Sequence, residues 1–187
     1  MTSNRLWTRH CPASWPLWAK EWARTQGSLT RRLVGLGAGF QVEPVLQSST
    51  RTGLGPGLPP ELTGGGMMRQ RLVRLKVGGQ AVVLAQTLIR MDGPVNDWRF
   101  WRGLGNRSLG SVLFSDPQVQ RGALYFARLP ANQAWVVKLL PPELRQPALR
   151  AGPAPLWFAR CARFSRKPHR TPLWVMEVFL PQLETYL

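Results

Sequence analysis

Acidic residues, cysteines and long apolar runs are all scarce in this chain. Its 187 residues include 9 Asp and Glu against 25 Lys and Arg, so the formal net charge is +16. Two cysteines are too few for a disulfide framework, and no apolar stretch approaches the length of a membrane-spanning helix. The first residues, MTSNRLWTRHCP, lack the apolar segment of a signal peptide. We therefore expect a protein of the reduced cytoplasm, with no stable membrane insertion.

Common catalytic signatures are missing as well. The sequence contains no GxxxxGK[ST], HExxH, CxxC or GxSxG motif, which removes the usual support for nucleotide triphosphate, zinc and serine-hydrolase chemistry. The spacing of His10, Cys11, Cys161 and His169 matches no zinc motif, so we expect no bound metal. The positive charge attracts anions, and nucleic acid, an acidic membrane surface and a small polyanionic substrate are all compatible with it.

The stretch from Arg69 to Ile89 is typical of a β-hairpin, because two runs rich in Val and Leu flank Gly78-Gly79. A two-residue turn there sets a register in which Arg71 lies opposite Gln86. Side chains alternate along a strand, so Arg71 falls on the apolar face of the hairpin. A buried, unpaired guanidinium costs several kcal/mol. Arg71 therefore needs an anionic partner, either a protein carboxylate or a ligand, unless the strand begins after it and leaves it in solvent.

Four helices are predicted around this hairpin. The first spans Trp15 to Arg24, and the third spans Val95 to Leu104. The second and the fourth each begin at a Ser-Leu pair, with Ser28 and Ser108 as N-caps. Free N–H groups and the positive end of the helix dipole make such starts possible anion sites.

The remaining segments predict a single domain of the α+β class with a mostly antiparallel sheet. Residues 1–12 are expected to be loose, and residues 47–66 to form either a loop or lid or a disordered linker. Glu177 is the one charged residue in the apolar run LWVMEVFL. It is either a buried carboxylate held for chemistry or a residue on an exposed strand edge. Further strands are predicted over Phe40–Leu46, Gln118–Leu129, Ala134–Leu140, Leu156–Phe164 and Leu173–Leu180.

Several segments, in this order, resemble chorismate pyruvate-lyase: GSLTRRL, RLVRLKVGGQAVVLAQTLI, LGNRSLGSVLF, LWFARCARF and PLWVMEVFLP. The resemblance covers nearly the whole chain. It implies an enzyme that eliminates pyruvate from chorismate to give 4-hydroxybenzoate, the aromatic precursor of ubiquinone and plastoquinone. It also implies an antiparallel sheet with helices packed on one side, a buried pocket closed by lid segments, and no metal or organic cofactor. Residues 130–152 form an insertion relative to compact members of the family.

The resemblance also assigns residues. It implies that Arg71 and Glu177 are catalytic, and it leaves open whether Glu177 acts as acid or base. The family usually has a second arginine where this chain has Gln86, so either anion binding is weaker or Arg160 or Arg163 substitutes. The substrate-binding residues that the resemblance implies are Leu29, Arg71, Gln86, Leu109, Gly110 and Glu177.

Two other functions remain open at this stage. One is a non-catalytic module of the same fold that binds a small aromatic acid. The glutamine at position 86, where the family usually has an arginine, is a change that such a module could show. The other is a basic binder of nucleic acid or membrane surfaces, for which charge is the only support. We expect the partners to be chorismate and 4-hydroxybenzoate rather than nucleic acid, and the chain to be a monomer.

Overall fold

The architecture is an α+β fold built on one antiparallel sheet, as predicted. The structure is a computed structural model, and it describes residues 6–52, 57–59, 62, 66–90, 97–149 and 156–187. Six strands follow the order β1-β2-β3-β6-β5-β4 across the sheet. They are β1 (Phe40–Thr52), β2 (Gly66–Val77), β3 (Gln80–Arg90), β4 (Val119–Pro130), β5 (Leu156–Arg166) and β6 (Leu173–Phe179).

The helices are short and surround the sheet. Ser28 is the N-cap of α2, and its hydroxyl accepts a hydrogen bond from the backbone N–H of Arg31 at 3.2 Å, which confirms the predicted cap. Of the helix predicted over 95–104, residues 95 and 96 lie outside the described part, and Arg99–Gly103 forms a 3-10 helix. The α-helices are α1 (Leu17–Ala23), α2 (Leu29–Val34), α3 (Leu109–Ser115), α4 (Ala134–Leu139) and α5 (Pro142–Leu149), and a second 3-10 helix spans Pro181–Tyr186.

The central hairpin of β2 and β3 forms as predicted, but its register shifts by one residue. The shift lies between Leu75 and Lys76 of β2, where one extra residue is inserted in β3. Beyond this bulge Arg71 pairs with Thr87, and Gln86 pairs with Leu72. The prediction that Arg71 faces Gln86 is therefore wrong. Because a one-residue shift reverses the side-chain direction, Gln86 points to the other side of the sheet.

The two faces of the sheet pack against different helices. We call the face that carries Arg71 and Val73 the front face, and the face that carries Leu72 and Met176 the back face. The apolar side chains of α1 and α2 pack against the front face. A separate apolar cluster covers the back face and includes three side chains of α4.

The segment 134–140 is the helix α4, and the predicted strand there is wrong. Trp135, Val136 and Leu139 are all buried, and this spacing of i, i+1 and i+4 gives one face of a helix. The run of apolar residues that suggested a strand instead supplies the helix face that packs on the back of the sheet.

Other boundaries also differ from expectation. The loop or lid predicted over 47–66 contains the end of β1 and the first residue of β2, and residues 53–56, 60, 61 and 63–65 lie outside the described part. In the segment expected to be loose, residues 1–5 are not described, while Thr8 and Phe126 exchange two backbone hydrogen bonds of 2.8 Å. The segment 130–152, which the resemblance predicts to be an insertion, contains α4 and α5. No helix in the described residues is long and apolar enough to cross a membrane.

Candidate active site

One cavity on the front face lies between the sheet and the first residues of α2 and α3. It encloses about 690 Å³ of empty space, its opening to solvent included. The strands contribute the polar side chains Arg71, Thr87, Arg121, Arg160 and Glu177 to its lining. The helices and the residues before them contribute Leu29, Thr30, Ser108, Leu109, Gly110, Leu113 and Phe114.

Arg71 is a buried cation whose hydrogen-bonding capacity is only partly used. Its side chain is 2% exposed, and Nη2 donates to the carbonyl oxygens of Gly105 at 2.7 Å and Arg107 at 3.3 Å. Among the described residues, none accepts a hydrogen bond from Nε or Nη1 of Arg71. Burial lowers the pKa of Arg71 from its ordinary value, because removal from water disfavours the charged form. The charge therefore lacks a counterion where it lines the cavity.

Glu177 is held by a second buried arginine. Arg160 lies directly opposite Glu177 in the pairing of β5 with β6, and its Nε donates to Oε2 of Glu177 at 2.5 Å. Nη1 of Arg160 also donates to the carbonyl oxygens of Ala23 at 3.2 Å and Thr25 at 2.9 Å, at the end of α1. The side chain of Glu177 is 14% exposed. The carboxylate is therefore an ion-paired group on an inner strand and not a residue of an exposed edge.

The beginnings of α2 and α3 are joined by a short polar contact. The hydroxyls of Thr30 and Ser108 lie 2.5 Å apart and share a buried hydrogen bond. Ser108 occupies the predicted N-cap position, but its side chain makes no capping bond. A Cβ on Gly110 would lie 2.6 Å from the hydroxyl oxygen of Thr30, so only glycine permits this approach. The contact joins the first turns of the two helices, from which Leu29 and Leu109 both line the cavity.

The structure brings most of the predicted site residues together. Leu29, Arg71, Leu109, Gly110 and Glu177 line the same cavity, so the two predicted catalytic residues share one face of the sheet.

Gln86 is the exception, and its predicted place beside Arg71 is corrected. It lies on the back face, in a separate depression lined also by Leu72, Leu88 and Met176. Of the two candidate substitutes for the missing arginine, Arg160 lines the front cavity. Arg163 is paired with Trp174, whose side chain belongs to the back-face cluster.

Comparison with known proteins identifies the family. The sequence profile of the family described as chorismate lyase matches residues 1–186. The chain belongs to the chorismate lyase family. A protein of Cupriavidus pinatubonensis named "Probable chorismate pyruvate-lyase" is 36% identical over 192 residues, which covers 96% of this chain and 90% of the relative. A protein of Methylobacillus flagellatus with the same name is 33% identical over 165 residues, which covers 88% of this chain and 87% of the relative.

A more distant likeness concerns the fold alone. The effector domain of PhnF from Mycobacterium smegmatis superposes with a TM-score of 0.50 at 15% identity, over 83% of this chain and 90% of that domain. The fold of this chorismate lyase family member is therefore similar to that of the PhnF effector domain.

Arg121 is a residue of this family member's cavity that sequence reasoning missed. The register of β4 with β5 shifts between Arg121 and Leu124, where two residues of β4 oppose one of β5. Strict alternation would place Arg121 and Leu124 on opposite faces, but the bulge turns both to the front. The side-chain pattern of a single strand does not reveal such a bulge.

In the described part of the chain, no three His, Cys, Asp or Glu side chains come close enough to share a metal ion. His10, Cys11, Cys161 and His169 therefore make no common site there. Among the described residues, the titratable groups that line the cavity are three arginines and one glutamate.

Proposed function

We propose that this chain eliminates pyruvate from chorismate and releases 4-hydroxybenzoate, the aromatic precursor of ubiquinone or plastoquinone. The observation that carries the proposal is Arg71, a buried cation without a carboxylate partner among the described residues, in the same cavity as Glu177. An uncompensated buried charge costs several kcal/mol. An anionic ligand that enters the cavity would supply the missing counterion.

The reaction requires little chemistry from the protein. Chorismate loses a proton from C4 of its ring, and the bond from C3 to the enolpyruvyl oxygen breaks. The ring becomes aromatic, and the enolpyruvate gains one proton at its methylene carbon to become pyruvate. Protons and electrons balance without an oxidant or reductant, so orientation of the substrate and one proton acceptor account for the catalysis.

The cavity offers a residue for each of these tasks. Arg71 would bind the ring carboxylate with the N–H groups that have no partner among the described residues. Leu29 and Leu109 would contact the ring, because both line the cavity from the helix side. Glu177 would accept the proton from C4, because it is the one carboxylate among the described residues that line the cavity. Arg160 would hold Glu177 in position.

The test is a turnover assay on the purified chain with chorismate alone. We expect pyruvate and 4-hydroxybenzoate to appear in equal amounts as chorismate disappears, without added metal or cofactor. Binding of 4-hydroxybenzoate is measured in parallel by titration calorimetry. Tight binding without turnover would contradict the proposal and would identify a non-catalytic module for small aromatic acids. Absence of both turnover and binding would show that the cavity neither converts chorismate nor binds 4-hydroxybenzoate.

A further inference from the structure

We propose that Arg121 is the second anion-binding residue of the cavity and binds the enolpyruvyl carboxylate of chorismate. This inference rests on the proposed function and extends it. Chorismate carries two carboxylates, and only one of them remains on 4-hydroxybenzoate. Arg121 would therefore distinguish substrate from product, whereas Arg71 would bind both.

Arg121 has no strong partner in the described part of the chain. Its Nη2 donates to Oε1 of Gln26 at 3.4 Å, which is a long contact to a neutral amide. Its guanidinium carbon lies 5.7 Å from the ring centre of Phe114, another residue of the cavity lining. No carboxylate of the described residues forms a salt bridge with it. The guanidinium is therefore available to an anion in the cavity.

The other two arginines of the cavity do not compete for this role. Arg160 already donates to Glu177 and to two backbone carbonyl oxygens. Arg71 is the natural site for the first carboxylate, and a second carboxylate beside it would repel the first. Arg121 is the remaining cation of the cavity lining.

The position of Arg121 suits a ligand with charges at both ends. Arg71 is on β2 and Arg121 is on β4, which are four strand spacings apart in the sheet. With about 4.8 Å per spacing, their strands are roughly 19 Å apart, and both side chains line the cavity that lies between them. Glu177 is on β6, the middle strand of the five from β2 to β4. A dianion bound to both Arg71 and Arg121 would therefore pass the carboxylate of Glu177.

Small side chains line the sheet between the two cations. Ala85 on β3 and Ala162 on β5 both line the cavity.

Burial and the charge of Arg160 lower the pKa of Arg121, while Glu177 raises it. An anion bound to Arg121 would relieve the repulsion between the guanidinium groups of Arg121 and Arg160.

The test compares Arg121→Met with Arg121→Lys and with Arg128→Gln. Arg128 is the matched control, because it lies on the same strand, donates to the carbonyl oxygen of Ser14 at 3.2 Å and does not line the cavity. We expect Arg121→Met to raise KM for chorismate roughly 10- to 100-fold, the value of a charge-assisted hydrogen bond. We expect its Kd for 4-hydroxybenzoate to stay at the wild-type value. Arg121→Lys should restore part of the KM, and Arg128→Gln should change neither constant.

Two results would contradict the role of Arg121 without contradicting the proposed function. One is a wild-type KM in Arg121→Met while the wild-type protein converts chorismate. The other is an equal loss of affinity for chorismate and 4-hydroxybenzoate, which would place Arg121 at the shared carboxylate or in the structure of the cavity. Thermal denaturation of each variant shows whether a loss is due to unfolding. If the wild-type protein neither binds nor converts chorismate, the proposed function fails and this inference fails with it.

Discussion

Arg71 and Leu72 are neighbours on β2, yet they face different environments. Arg71 is 2% exposed and lines the front cavity with two nitrogen atoms, Nε and Nη1, that have no hydrogen-bond partner among the described residues. Leu72 is fully buried in the apolar cluster of the back face. The back face therefore stabilises the fold by apolar packing. The front face also buries charged side chains, which packing does not require and which a ligand would explain. Changes on the two faces should therefore separate activity from stability.

The largest effect on turnover is expected at Glu177, the proposed proton acceptor on the front face. Glu177→Gln keeps the size of the side chain but removes its charge, so kcat should fall roughly 10²- to 10⁴-fold. Binding of 4-hydroxybenzoate should persist, because Arg71 is unchanged. Pyruvate release and calorimetric titration measure the two quantities. Glu43→Gln is the control, because Glu43 pairs with Arg74 at 2.6 Å outside the cavity. Near-normal turnover in Glu177→Gln would exclude this residue as the base.

The two buried arginines should respond differently to replacement by methionine. Arg160→Met leaves the largely buried carboxylate of Glu177 without its partner, which should cost about 3–5 kcal/mol of unfolding free energy. Arg71→Met removes a buried charge that pairs with no carboxylate in the described part, and it takes a donor only from the carbonyl oxygens of Gly105 and Arg107. The unfolding free energy of the ligand-free protein should therefore fall by less than in Arg160→Met.

Chemical denaturation of both variants without ligand measures this contrast. Arg71→Met should also bind 4-hydroxybenzoate roughly 10- to 100-fold more weakly, because a charge-assisted hydrogen bond is lost. A large loss of stability in Arg71→Met, with ligand binding intact, would show that the cation serves the fold and not the ligand.

A smaller effect is expected where α2 and α3 meet above the front face. Gly110→Ala would place a methyl group 2.6 Å from the hydroxyl oxygen of Thr30, and this overpacking should cost about 1–3 kcal/mol of stability. The displacement of Leu29 and Leu109 should also weaken 4-hydroxybenzoate binding. Gly27→Ala is the control, because a Cβ there meets no atom within 4 Å. Adding Thr30→Ala to Gly110→Ala removes the clashing oxygen and should recover part of the loss.

Local patterns in the sequence predict much of this site. Alternation along β2 predicts Arg71 on the apolar face of the hairpin or, if the strand begins after it, in solvent. The single charge in an apolar run makes Glu177 either a buried carboxylate or a residue on an exposed strand edge, and the structure shows that both side chains line the cavity. Ser28 begins α2 because its hydroxyl caps the first turn. The resemblance to the family predicts Leu109 as a substrate-binding residue and elimination of pyruvate as the reaction. Neither can be predicted from the pattern of apolar and polar residues.

The features that the sequence does not reveal are long-range. A bulge in β3 exchanges the faces of Gln86 and Thr87, and a bulge in β4 brings Arg121 to the front. Each depends on pairing with a neighbouring strand and leaves no mark in the strand's own alternation. The apolar run of α4 predicts a strand, because its length and composition fit a buried strand as well as the buried face of a short helix, and only tertiary packing distinguishes the two.

The smallest effect on activity is expected from the back face at Gln86. Its side chain lines a depression with Leu72 and Met176 and is separated from the cavity by the sheet itself. Gln86→Leu should therefore leave kcat, KM and 4-hydroxybenzoate affinity unchanged, and Gln86→Arg should not add an anion-binding group to the front cavity. The measurement is steady-state turnover together with denaturation. A marked gain of activity in Gln86→Arg would mean that residue 86 reaches the substrate, and the register with Leu72 opposite Gln86 would then not describe the active protein.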